Sequence, residues 1–146
     1  MADATTIKWL YPPNFTGSYD DWPHGKIVGP RRYSLLLTNY SDGTGETEEL
    51  KVNRSDLKTT DGETPSKLVI EKISYNIYGM TVRISYNNEN EEEIVLQGDG
   101  VLDFTDVGGF TPIDHIDDVG GDIVFNTEGA SSGDSYSIKL DIRAKQ

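Results

Sequence analysis

Within the stretch Lys67 to Leu96, apolar and polar positions alternate at every step from Met80 to Tyr86. Met80, Val82, Ile84 and Tyr86 fall on one side of the chain and Thr81, Arg83 and Ser85 on the other, the pattern of a half-buried β-strand. The polar run at 87–93 supplies turn formers, and Ile94-Val95-Leu96 returns as a second apolar run. The pair therefore predicts an antiparallel hairpin. Ahead of it, residues 67–78 are rich in β-formers, with Val69, Ile73, Tyr75 and Ile77 assigned to one side. Gly79 sits at the joint, where a glycine permits a sharp turn or bulge.

The same grammar extends to both sides. Residues 33–38 form a mixed apolar run suited to a strand buried on both faces. Ser41-Asp42-Gly43-Thr44-Gly45 has the chemistry of a tight reversal, and residues 48–53 alternate around Leu50 and Val52, which predicts a first hairpin. Residues 98–121 read as a long Gly- and Asp-rich loop holding one short strand at 101–104. Within this loop Asp106-Val107-Gly108-Gly109 recurs as Asp118-Val119-Gly120-Gly121, two turns of similar shape. Residues 121–125 predict a short strand, 127–134 a turn-rich connection, and Tyr136, Ile138, Leu140 and Ile142 a final half-buried strand. About eight short strands separated by turn signals, without a helical stripe, predict an all-β fold. The expected architecture is a single antiparallel β-sandwich, jelly-roll-like, over residues 30–146, with a closed barrel as the alternative.

Residues 1–29 break the pattern. Trp9, Tyr11, Phe15, Tyr19 and Trp22 are threaded among Pro12, Pro13, Gly17, Pro23, Gly25 and Gly29. Prolines and glycines at that density oppose regular structure, whereas a solvated linker is poor in aromatics. The reading is an extended, irregular N-terminal arm lying on a surface, either its own domain or a neighbouring subunit, with the five aromatics as docking anchors. Deleting residues 1–25 would then leave a folded domain that has lost its partner.

Composition narrows the function. The 146 residues fit one domain, and Leu, Ile, Val and Phe make up about 24% of them, enough for a folded core. Twenty-five acidic against thirteen basic residues leave a net charge of −12, which repels phosphate backbones and anionic lipid and so argues against nucleic-acid or membrane partners. With no cysteine there is no disulfide framework, thiolate metal site or cysteine nucleophile. The first fifteen residues carry no secretory signal pattern, and no run of apolar residues is long enough to span a bilayer.

Candidate chemistry is sparse. His24 lies in the arm and His115 in an acidic loop, and no serine sits in a Gly-x-Ser-x-Gly setting. Nothing singles out a carboxylate pair among 25 acids. The stretch 114–122 offers oxygen ligands and one imidazole, but not the spacing of a calcium loop. Plain loop polarity accounts for the same residues. The expectation is a protein that is not an enzyme and takes no cofactor.

Several blocks, in order, resemble small virion proteins of tailed bacteriophages. They are Arg32-Tyr33-Ser34-Leu35-Leu36-Leu37 with the turn Ser41-Asp42-Gly43-Thr44; Pro65-Ser66-Lys67-Leu68-Val69-Ile70-Glu71-Lys72-Ile73; Gly79-Met80-Thr81-Val82-Arg83-Ile84; and Gly121-Asp122-Ile123-Val124-Phe125-Asn126-Thr127 through Gly133-Asp134-Ser135-Tyr136-Ser137-Ile138. The first thirty residues and the stretch 110–118 fall outside the resemblance. It implies a capsid decoration or cement protein on the virion exterior, made in the host cytoplasm, whose partner is the major capsid protein or a neighbouring copy. A tail or neck component and a carbohydrate- or receptor-binding module are the other readings of the same scaffold.

Overall fold

The computed structural model describes residues 3–11, 15, 32–53, 56–57, 67–86, 93–110 and 122–145. They form nine strands: β1 (Ala4–Tyr11), β2 (Arg32–Asp42), β3 (Glu49–Val52), β4 (Lys67–Tyr78), β5 (Thr81–Tyr86), β6 (Glu93–Leu96), β7 (Asp99–Asp103), β8 (Ile123–Glu128) and β9 (Ser132–Lys145). One sheet runs β1-β2-β9-β4-β7 and the other β3-β8-β5-β6. All pairings are antiparallel, and they nest: β5 with β6, β4 with β7, β3 with β8 and β2 with β9. From β2 onward the chain is one long hairpin rolled up on itself, the double Greek key of a jelly roll. β1 is an extra strand on the outside of β2. The expected all-β sandwich is the observed fold.

The alternation places the core. Tyr33, Leu35 and Leu37 of β2, Val82, Ile84 and Tyr86 of β5, and Tyr136, Ile138, Leu140 and Ile142 of β9 all point into one cluster between the sheets. Each fully buried aliphatic side chain there stabilises the fold by about 1.5–3 kcal/mol. Tyr86 also fastens the two layers by its tip. Its hydroxyl donates to the Phe110 carbonyl at 2.6 Å and accepts the Ile70 N–H at 3.2 Å, while its ring stacks on Phe110 with centroids 5.9 Å apart.

Four local expectations are corrected. β2 is not buried on both faces: every second residue is buried, and its other face holds half-buried or exposed residues such as Leu36 and Tyr40. β2 and β3 do not form a hairpin, since they belong to different sheets. Gly43, Gly45 and Glu48 all have positive φ (100°, 78° and 48°), so the chain winds across from one sheet to the other instead of reversing in a two-residue turn. In β4 a bulge between Ile70 and Lys72 shifts the phase. The strand faces the core through Leu68 and Ile70 and then Ile73 and Ile77, while Val69 is buried outside that cluster. Finally, residues 4–11 are not irregular, because β1 pairs with β2 over seven register positions. The joint at Gly79 behaves as expected: its φ is +83°, and a Cβ there would lie 2.2 Å from the Asp134 carboxylate.

Candidate docking site

The N-terminal aromatics divide once their strand is traced. β1 is made of β-branched and aromatic residues, Thr5, Thr6, Ile7, Trp9 and Tyr11, and ends just before Pro12 and Pro13, which have no N–H to continue a ladder. Trp9 turns inward. Its ring meets Phe15 edge-on at 5.0 Å and Tyr33 at 5.9 Å, and Phe15 is only 5% exposed. As docking anchors these two are corrected: they close the end of the core, because indole and phenyl faces in mutual contact are already removed from water. Tyr11 is 51% exposed and stays available. Tyr19 and Trp22 lie outside the described residues, as do His24, His115 and all of the 114–122 stretch except Asp122.

A bulge explains what β1 does present. Trp9 pairs with Leu35 and Tyr11 with Ser34, so Leu10 is an additional residue opposite one step of β2. Leu10 is 40% exposed, and so is Ile7, although its partner Leu37 is fully buried. The five-stranded sheet is wider than the four-stranded one, which leaves β1 short of cover.

The other rims of the sandwich are shorter. β3 and β6 have four residues each, and β7 has five with an aspartate at both ends. Short, acid-terminated edges resist pairing with another chain. β1 has eight residues, and Lys8 is its sole charge. Among the described residues nothing pairs with its outer edge. Unpaired N–H and C=O groups beside Ile7, Leu10 and Tyr11 suit the addition of a strand from a partner, with side-chain pockets setting specificity.

The base of β1 is clamped by Asp3. Its carboxylate accepts hydrogen bonds from Asn39 Nδ2 (3.0 Å), Ser41 Oγ (2.9 Å), Asp42 N–H (3.2 Å) and Gly45 N–H (3.1 Å). Burial disfavours its charge, but the donors of Asn39, Ser41, Gly45 and Asp42 outweigh that and hold its pKa below the ordinary carboxylate value. The clamp therefore contributes stability above the unfolded-state pKa of about 3.9 and loses it as pH falls through the lower folded value. Asp3→Asn is expected to lower stability by about 1–3 kcal/mol at neutral pH. Urea denaturation at pH 7 and near pH 3 checks this, the gap between wild type and variant narrowing at the acid end.

The chemistry most like that of an active site is sealed. Glu46, Lys51 and Tyr136 are 4%, 8% and 2% exposed. Lys51 Nζ is ion-paired with Glu46 Oε2, and the Tyr136 hydroxyl donates to Glu46 Oε1 at 2.6 Å. Burial, the Glu46 charge and that hydrogen bond push the Tyr136 phenol far above its ordinary value, so it stays protonated. Buried between strands, the group has no substrate path and holds the β2–β3 crossover in place. Sequence reading missed it, because a glutamate and a lysine five apart look like surface charge. Among the described residues no three His, Asp or Glu side chains converge to hold a metal ion, and no helix is long and apolar enough to cross a membrane. Comparison with family models, curated proteins and solved structures finds no match for the chain.

Proposed function

We propose that the protein is a structural component of a tailed-bacteriophage virion, a decoration or cement protein that binds the outside of the capsid shell and stabilises it. The ordered sequence blocks suggest the class, and the observation that carries the docking is the long, nearly uncharged edge of β1 with Ile7, Leu10 and Tyr11 exposed beside it. A shell-stabilising protein must be a rigid, soluble module that adds buried area where shell subunits meet. A binder that prefers the assembled shell stabilises it by mass action, and repetition over many equivalent sites makes a modest single contact sufficient. Strand addition at β1 would supply main-chain hydrogen bonds to the major capsid protein or to a neighbouring copy. A jelly roll hosts many functions, so the reading rests on the edge and the sequence blocks, not on the fold.

The test is co-sedimentation of the full chain with undecorated capsids of a phage that encodes it. Occupancy should match the number of shell subunits, and Leu10→Lys with Tyr11→Lys should reduce it by about tenfold, a loss near 1.4 kcal/mol per contact, without changing the thermal midpoint. Full occupancy by the double variant would remove β1 from the interface. A copy number matching a tail ring would replace decoration with a tail or neck role.

A further inference from the structure

The two most exposed aromatic side chains among the described residues stand on one face of one sheet. Tyr40 of β2 is 65% exposed and Tyr78 of β4 is 70% exposed. Both pair in register with Ser135 of β9, which lies between them. Their chain neighbours Asn39 and Ile77 are buried, so both tyrosines project from the outer face of the sheet. Two inter-strand steps set them about 9–10 Å apart. Ala4 is the partner of Tyr40 on its other side, so the residues between and beside the rings are small and leave their faces open.

The next row along the strands is polar: Thr38, Ser137 and Asn76 pair in register across the same three strands. Beyond it a shallow depression of about 380 Å³ opens over Leu36, Ser74 and Lys139, with Asp99 and Val101 of β7 at its rim. Lys139 is already paired with Asp141 at 3.3 Å. The face thus combines two aromatic platforms with hydroxyls and an amide, and carries its charge at the margins, Asp99 beside Asn76 on β7 and Lys8 beside Leu36 on β1.

We propose that this face binds an extended, neutral, β-linked polysaccharide lying across the strands, with alternate sugar rings stacked on Tyr40 and Tyr78. A pyranose has a face of C–H groups that stacks on an aromatic ring and a rim of hydroxyls that seeks donors and acceptors. In a β-1,4-linked chain successive sugars are turned over, so every second sugar presents the same face. Their separation is close to two inter-strand steps. The sugar between them passes over Ser135, whose small side chain leaves room, and its hydroxyls face the row of Thr38, Ser137 and Asn76. Nucleobases would also stack on tyrosine, but the net charge of −12 repels their phosphates and equally repels acidic glycans. The site is separate from the β1 edge and stands or falls independently of the capsid reading.

Isothermal titration of the full chain with cellohexaose, and with maltohexaose as a curved α-linked comparison, tests the proposal. Cellohexaose should bind more tightly than maltohexaose. Tyr40→Ala and Tyr78→Ala should each weaken it about tenfold or more, equivalent to about 1.4 kcal/mol, with thermal midpoints unchanged because both side chains are exposed. Tyr11→Ala on β1 should bind as wild type. Absence of heat with cellohexaose at millimolar concentration, or affinity unmoved by either substitution on the outer face, would overturn it.

Discussion

Glu46→Ala is expected to destabilise the fold by about 3–5 kcal/mol, the range for breaking a buried ion pair from one side. The cost arises from what is left behind. Lys51 would keep a buried ammonium without its Glu46 counter-charge, lying among the described residues over the Phe125 ring at 5.7 Å, and Tyr136 would keep a buried hydroxyl without its 2.6 Å acceptor. Removing both charges is a different experiment. Glu46→Leu combined with Lys51→Met costs the phenol only the bond it donates, its Asn39 contact being kept, and should recover most of the loss, since a well-packed apolar replacement of a buried pair is often neutral or stabilising. Tyr136→Phe should cost about 1–1.5 kcal/mol, one hydrogen bond's worth. Equilibrium urea denaturation of the four proteins separates these outcomes. If Glu46→Ala and the double variant were equally destabilised, the pair would contribute through packing and not through charge.

Legibility in the sequence followed the range of the interactions. The β5–β6 hairpin was readable because its register, Val82 with Leu96 and Ile84 with Ile94, joins two strands close in sequence that each keep a strict period of two. β9 was readable for the same reason. The β2–β3 pairing was misread because adjacency in sequence favours a hairpin, whereas β3 meets β8 more than seventy residues later, and no local pattern encodes that choice. The phase of β4 was misread at Val69 because one inserted residue moves a side chain to the other face, and a bulge leaves no mark in hydrophobicity. Leu57, fully buried, carries no signal in the sequence, since a single core leucine in a loop has no period. At the candidate docking site the aromatic content of the N-terminus was visible, but which rings face inward was not. That depends on Trp9 and Phe15 finding Tyr33, a contact across about twenty residues of chain.

The same contact sets the second large effect: Phe15→Ala is expected to cost about 3–5 kcal/mol, as for a buried phenylalanine in any core. Phe15 is 5% exposed, edge-on to Trp9 at 5.0 Å and 5.7 Å from Tyr33, whose own ring is fully buried. Its removal opens a cavity that neither neighbour fills without leaving its own contacts. Trp9→Ala should fall in the same range scaled by its partial exposure, whereas Tyr11→Ala on the exposed side of the strand should stay within about 0.5 kcal/mol. Deleting residues 1–25 therefore cannot serve as a clean removal of a docking arm. It takes away β1, the Asp3 clamp and Phe15 together, and a domain of this size has only about 5–15 kcal/mol in total. The truncated chain is expected to aggregate or melt well below the intact protein. A deletion that leaves the thermal midpoint unchanged would show that the Trp9–Phe15–Tyr33 cluster closes no part of the core, and would return all of residues 1–25 to the role of a separable arm.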